Sequence, residues 1–210
     1  MERMYSPTFS HGFTKENTDI VVGNHDSGSD VQSWLGNKKT FGEVTFDFSG
    51  DKLALFNIDA NIKVDCSSPQ FETLKWQIES SNALYKFAVV HQPFVTVKSI
   101  YPPNGQFNCY DPIFRQGKIV LQAHNHNYER FSINDLMYGV FGTGTHDTGA
   151  SMYPLDSNDC NGNDCLKCIT GKNGITIIDL HFNNKNTKQF VGWFIGMKQE
   201  ILDGFDSIVP

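Results

Sequence analysis

The chain has 210 residues, 39% of them hydrophobic and 13% aromatic, with 17 phenylalanines and a formal net charge of −6. That length suits one domain with a real core, or one plus a small appendage, and the composition excludes a disordered chain. The acidic balance gives no bulk steering towards phosphate polymers, and no run approaches ~18 consecutive apolar residues, so neither a nucleic-acid partner nor a membrane span is expected.

Residues 1–18 are polar and aperiodic and read as a separate N-terminal segment, leaving 19–210 as the domain. The first residues lack the apolar stretch of a signal peptide, so the compartment stays open, with a lean to extracytoplasmic if an upstream region carries one. Asp19–Val22 is a short strand candidate running into Gly23. Glu43–Phe48 and Lys52–Ile58 alternate and are rich in β-branched or aromatic residues, with Ser49-Gly50-Asp51 as the hairpin turn between them. Ser67-Ser68-Pro69 then starts a helix with a hydroxyl cap and proline in the first turn. Phe71, Leu74 and Ile78 give it one apolar stripe, and it ends near Ser81-Asn82.

Lys86–Val90 is a continuous apolar run, as in a strand buried on both faces. The spacing predicts a loop at Tyr101–Gly105, a helical turn or two capped by Asp111, and a second buried strand over Gly117–Leu121. Strands follow at Glu129–Ile133 and Leu136–Phe141, then Gly142-Thr-Gly-Thr and a cysteine-bearing loop. Gly174–Phe182 and Gln189–Ile195 close as another hairpin. Helices and strands alternate over the first two-thirds, after which strands follow one another. That order predicts an α/β (α+β) chain with a mixed sheet or two-sheet β-sandwich flanked by helices.

Five cysteines are present. Cys66 and Cys109 stand alone, while Cys160, Cys165 and Cys168 cluster in a polar stretch. The cluster suits one disulfide or free thiols better than a metal, for which His146 is the nearest fourth ligand. A disulfide would imply an oxidising compartment.

Three segments carry chemistry: Gly23-Asn24-His25-Asp26, His91-Gln92-Pro93, and Gln122-Ala-His124-Asn-His126-Asn-Tyr128-Glu129-Arg130. Each follows or ends an apolar run, so each places polar residues where a buried strand emerges, the edge at which open α/β sheets build their sites. Imidazole and a side-chain amide oxygen, without paired thiolates, suit Zn, Mn or Fe. In extended backbone His124 and His126 share one side, about 7 Å apart at the Cα level, and so reach two ions roughly 3.5–4 Å apart. Singly, each motif has an ordinary reading: a turn for Gly-Asn-His-Asp, a packed histidine for His91.

In this order the segments resemble the calcineurin-like metallophosphoesterase superfamily, most of all its purple acid phosphatase branch. That family shows Gly-Asn-His-[Asp/Glu], a strand-ending His, and Gly-His-x-His, and the tail Tyr128-Glu129-Arg130 is typical of the purple branch. The helix over 70–80 and the strand ending in Gly142-Thr-Gly are similar too, so the likeness covers about residues 19–182.

The resemblance implies a four-layer sandwich and a site for two transition-metal ions (Fe, Zn or Mn). Asn24, His91 and His124 would ligate one ion and His126 the other. His25 would contact phosphate and protonate the leaving group, with Asp26 orienting that imidazole or capping the turn. The implied activity is hydrolysis of small phosphate monoesters by a metal-bound hydroxide. The alternatives are a phosphodiesterase or nuclease of the same superfamily, or a catalytically incomplete metal-binding domain.

The family's first two motifs, Asp-x-[Gly/His] and Gly-Asp-x-x-[Tyr/His], belong upstream of Gly23, yet only 22 residues precede it and none forms a Gly-Asp pair. Ala123 also replaces the usual glycine. The expectation is therefore an N-terminally incomplete fold, the C-terminal portion of a longer product. Without an anionic bridge two dications at ~4 Å repel strongly, so at most one ion binds well here.

Overall fold

The computed structural model describes residues 17–26, 40–62, 64–97, 107–143, 160, 164–181 and 188–209. The loop expected at 101–105, His11 and His146 lie outside them, as does most of the N-terminal segment.

Strands β1 (Gly42–Phe48) and β2 (Asp51–Ile58) form the expected antiparallel hairpin. Its two turn residues, Ser49 and Gly50, have φ of 58° and 99°, which matches the twist of the strands they join. Helix α1 (Pro69–Ser80) is also as expected: Ser68 Oγ accepts from Phe71 N at 3.1 Å and Pro69 occupies the first turn. Its buried face carries Phe71, Leu74, Ile78 and also Gln70, whose side chain bonds both the N–H and the carbonyl of Asp59 just beyond β2.

Strands β3 (Tyr85–Val90), β4 (Lys118–Gln122) and β6 (Leu136–Phe141) continue parallel from β2, and β5 (Tyr128–Ile133) and β7 (Cys165–Ile169) add antiparallel beyond β6. The sheet order is β1-β2-β3-β4-β6-β5-β7. A second, antiparallel sheet has the order β10-β9-β8, from β8 (Gly174–His181), β9 (Lys188–Gly196) and β10 (Ile201–Val209).

The alternation of side chains along β2 and β3 sorts them into two cores. Ala54, Phe56, Ile58, Ala88 and Val90 face α1 and the second helix, α2 (Phe107–Phe114). Leu53, Leu55, Tyr85 and Phe87 face the small sheet, where they meet Phe190 and Phe205. The described residues therefore make three layers (helices, mixed sheet, small sheet) rather than the four expected. The far face of the small sheet carries the exposed Ile175, Ile177 and Ile201. Among the described residues no helix is long and apolar enough to cross a membrane.

Four local expectations are corrected. Residues 18–23 form no ladder, because both edges of β2 are already taken by β1 and β3. Asp111 does not cap α2 but lies inside it, its carboxylate accepting from Tyr138 Oη at 2.9 Å and pairing with Arg115. The cysteine stretch ends in a strand, β7, and β10 adds a third strand to what was read as a closing hairpin. The disulfide expected in the cysteine cluster is Cys160–Cys165, and a second bridge, Cys66–Cys109, joins two cysteines distant in sequence and ties the start of α1 to α2.

Candidate metal centre

The C-terminal ends of the parallel strands β2, β3 and β4 lie side by side, and one residue of the site depends on each. His91 directly follows β3, and its carbonyl accepts from Ala123 N at 3.0 Å, extending the β3–β4 pairing by one step. His124 comes two residues after β4. Asn24 arrives on the 18–26 segment, which is fastened to the β2 end by Asn57 Nδ2 to Asp19 Oδ2 at 2.7 Å and Asn61 Nδ2 to the Gly23 carbonyl at 3.0 Å.

These placements bring three ligand-type atoms together. His91 Nε2 lies 3.0 Å from Asn24 Oδ1, His124 Nδ1 lies 3.2 Å from the same oxygen, and the two ring nitrogens are 3.3 Å apart. The rings meet edge to face at 5.2 Å. An ion held at about 2.0–2.1 Å by nitrogen and oxygen spaces its tetrahedral ligands about 3.3–3.4 Å apart. The triangle is close to that size, so the donor set and its spacing fit one cation of the Zn, Mn or Fe class.

Electrostatics favour lone pairs over N–H⁺ at this point. Burial first, and then the adjacent His124, hold the His91 imidazole down at about 4, against a smaller opposing pull from Asp26. His124 is lowered by burial first and then by His126 and His25. His25 and His126 thus both act on the triangle, whose two histidines are neutral at neutral pH. Asn24 and His25 are exposed, so the cluster opens to solvent.

The backbone around the histidine pair is not extended. Asn125 N bonds the Ala123 carbonyl and Asn127 N bonds the Asn125 carbonyl, each at 2.8 Å, making two successive three-residue turns. His124, at the centre of the first, has φ of 65°, a strained conformation for a residue with a Cβ. Only His124 of the pair reaches the triangle. Asp26 turns back on its own segment, its carboxylate accepting from Gly23 N at 2.7 Å. Among the described residues no Asp or Glu joins these imidazoles in a group of three ligands; the one such group of His, Cys, Asp or Glu is Cys160, Cys165 and Cys168. The donor set for a second ion is absent from the described residues.

Buried amides and a carboxylate hold the loop after His91. Gln122 Oε1 accepts from Phe94 N at 2.6 Å and from Val95 N at 3.1 Å, and its Nε2 donates to the Val95 carbonyl. Glu129, fully buried, accepts from Val97 N at 2.8 Å and Thr96 Oγ1 at 3.1 Å, and also from Asn127 and Asn125. The strand period sends its neighbours the other way: Tyr128 Oη and Arg130 Nε both donate to Asp203 Oδ2, at 2.7 and 2.9 Å, across to β10. Sequence reasoning marked Tyr128-Glu129-Arg130 only as a motif and passed over Gln122, Asn57 and Asn61. The signal for Asn57 and Gln122 was an amide at the end of an apolar strand; Asn61, three residues past β2, carried none.

The fold of this chain is found again in GAP50, the anchor in the inner membrane complex of Plasmodium, at a TM-score of 0.68 and 17% identity, over 90% of this chain and 65% of that one. This chain thus spans just under two thirds of that protein's length. PhoD aligns at a TM-score of 0.47 and 10% identity, over 82% of this chain and 41% of that one. A hypothetical protein from Thermus thermophilus aligns at 0.36 and 12% identity, over 80% and 62%. No family model matches the sequence, and no curated protein matches it. The likeness to GAP50 is one of architecture: a mixed sheet plus a small antiparallel sheet with few helices.

Proposed function

We propose that this chain carries one ion-binding half of a phosphate-monoester hydrolase centre. The observation that carries the reading is the triangle of Asn24 Oδ1, His91 Nε2 and His124 Nδ1 at the ends of adjacent strands of a metallophosphoesterase-like fold. When bound, an ion there supplies Lewis acidity towards a phosphate oxygen and lowers the pKa of water in its shell.

The chain's own residues do the rest. Asn24 contributes a neutral oxygen, which leaves the ion's positive charge undiminished for an anionic substrate. The Gly23–Asp26 turn, closed by the Asp26 carboxylate, fixes Asn24 and leaves His25 exposed beside it. His25 contacts the phosphate and delivers a proton to the departing alkoxide at a ring nitrogen. His126 is the one described residue offered to a second ion, and the acidic partners such an ion needs are not among the described residues. The Cys66–Cys109 bridge supports an oxidising compartment.

The test is hydrolysis of p-nitrophenyl phosphate by the chain loaded with Mn, Zn or Fe. Turnover that disappears in His25→Ala, with the ion still bound, supports the proposal; faster turnover of the bis ester would point to a phosphodiesterase. That no carboxylate joins the triangle among the described residues favours a second reading, a metal-binding domain without catalysis. One ion per chain with no turnover would assign it.

A further inference from the structure

The three-cysteine cluster at the sheet edge takes no part in the centre described above, and its construction is unusual. Cys165 and Cys168 are three residues apart in β7, which in a regular strand would send them to opposite faces. The register with β5 prevents this. Phe131 pairs with Cys165, Arg130 with Lys167 and Glu129 with Cys168, so Leu166 is an extra residue, a bulge. Both cysteines thereby face the side of the sheet shared by Phe131 and Glu129. Cys160 approaches from the preceding turn, and all three sulfurs lie within 4.8 Å of one another.

One disulfide, Cys160–Cys165, uses two of these sulfurs and leaves Cys168 outside both bridges of the chain. A bridge needs no third sulfur and no bulge to bring one alongside. A soft cation does. Zinc–thiolate bonds of about 2.3 Å place tetrahedral sulfurs about 3.8 Å apart, a spacing this cluster reaches with shifts of about an ångström or less once the bridge opens. The donor chemistry also differs from that of the amide–imidazole triangle: three thiolates select Zn, Cd or Cu(I) over the harder ions.

The geometry points to a redox-gated thiolate site at Cys160, Cys165 and Cys168 that binds one soft metal ion only when the Cys160–Cys165 bridge is reduced. Opening it needs two electrons and two protons, supplied by a dithiol that is itself oxidised to a disulfide. The S–S bond breaks, two thiols form, and binding of the cation then releases the protons of the three thiols. The fourth position is left to water or an external ligand. In the oxidised chain two of the three donors are consumed, and the site is closed to metal.

Cadmium added to the full chain is the probe, read by the ultraviolet sulfur-to-cadmium charge-transfer band. The dithiol-reduced chain, with reductant removed under anaerobic conditions, is expected to take up one thiolate-held cadmium, and the oxidised chain none. Cys168→Ser, which keeps the bridge for folding, should weaken the reduced chain's affinity roughly tenfold or more. His91→Ala should leave the band intact, which separates this site from the amide–imidazole triangle. An equal band in reduced and oxidised chains, no band in the reduced chain, or full retention in Cys168→Ser would each overturn the inference. The dithiol also opens Cys66–Cys109, so the comparison is repeated with Cys66→Ser and Cys109→Ser together, in which a redox-dependent band must persist. The wild-type comparison itself needs no variant, so a misfolded mutant does not remove the test.

Discussion

The backbone of Gly23 lies flat against the imidazole of His91: a Cβ placed on Gly23 would stand 3.0 Å from His91 Cε1 and 3.1 Å from both ring nitrogens. Glycine here is a matter of room, since the close approach lets Asn24 and His91 share one point. Gly23→Ala is therefore expected to tilt the ring and lower metal affinity roughly tenfold, the scale of a lost supporting contact. Stability should change by less than about 1 kcal/mol, because the site is open to solvent and no core is disturbed. Calorimetric titration with Zn or Mn beside a denaturant melt checks both.

Glu129 makes the second prediction, through pH. Burial raises its carboxyl above the ordinary carboxylate range, against the lowering effect of the Val97 N–H, Thr96 and the two asparagines. A raised folded value means the group favours folding below its unfolded pKa and that this contribution is lost as pH rises through the folded value. The wild-type chain should therefore lose some stability across that window, and Glu129→Gln should flatten the loss. Glu129→Ala, which strands several buried donors, should cost about 2–4 kcal/mol at any pH. Urea melts over a pH series measure both; an identical pH profile for wild type and Gln would refute the assignment.

Asp203 supplies the third. Its side chain is 10% exposed and Arg130's is 14%, and the carboxylate also accepts from Tyr128 while Arg130 stacks 5.3 Å over Phe205. Removing one partner of so sheltered a pair leaves Arg130 uncompensated, so Asp203→Ala is expected to destabilise the chain by about 3 kcal/mol. The loss should appear as early exposure of the small sheet in hydrogen exchange, ahead of the parallel strands. Uniform loosening of both sheets would argue against the lock.

These residues also mark where the sequence was readable. Helix α1 was legible because its cap, its proline and its apolar stripe are local, and the β1–β2 turn because Ser49-Gly50 tolerates positive φ. Strand β10 was hidden: Asp203, Gly204 and Asp206 break its apolar alternation, and Asp203 sits at a bulge serving Arg130 on another strand. Asp111 looked like a cap because its partner Tyr138 is 27 residues away. The strand-end positions placed the three polar segments at one sheet edge, but the choice of Asn24, His91 and His124 as a set came from the family resemblance. The paired three-residue turns that aim His124 could not be expected, since no residue periodicity encodes them.

Asn24 gives the sharpest test of the centre. Its Oδ1 is the corner that both imidazoles share, at 3.0 and 3.2 Å, and it is the oxygen member of a set with no carboxylate among the described residues. Asn24→Asp keeps the shape and adds one negative charge at the ligand position. The charge attracts a dication, so affinity for Zn or Mn should rise tenfold or more, about 1.4 kcal/mol. Titrations at mildly alkaline pH keep both imidazoles neutral in either variant, so that proton competition does not mask the gain. The same charge would lower the ion's acidity towards a phosphate oxygen, and any p-nitrophenyl phosphate turnover should fall as binding tightens. Asn24→Leu should instead lose binding altogether. Should Asp and Leu leave the affinity where asparagine sets it, the oxygen is no ligand and the triangle is only a packing of side chains.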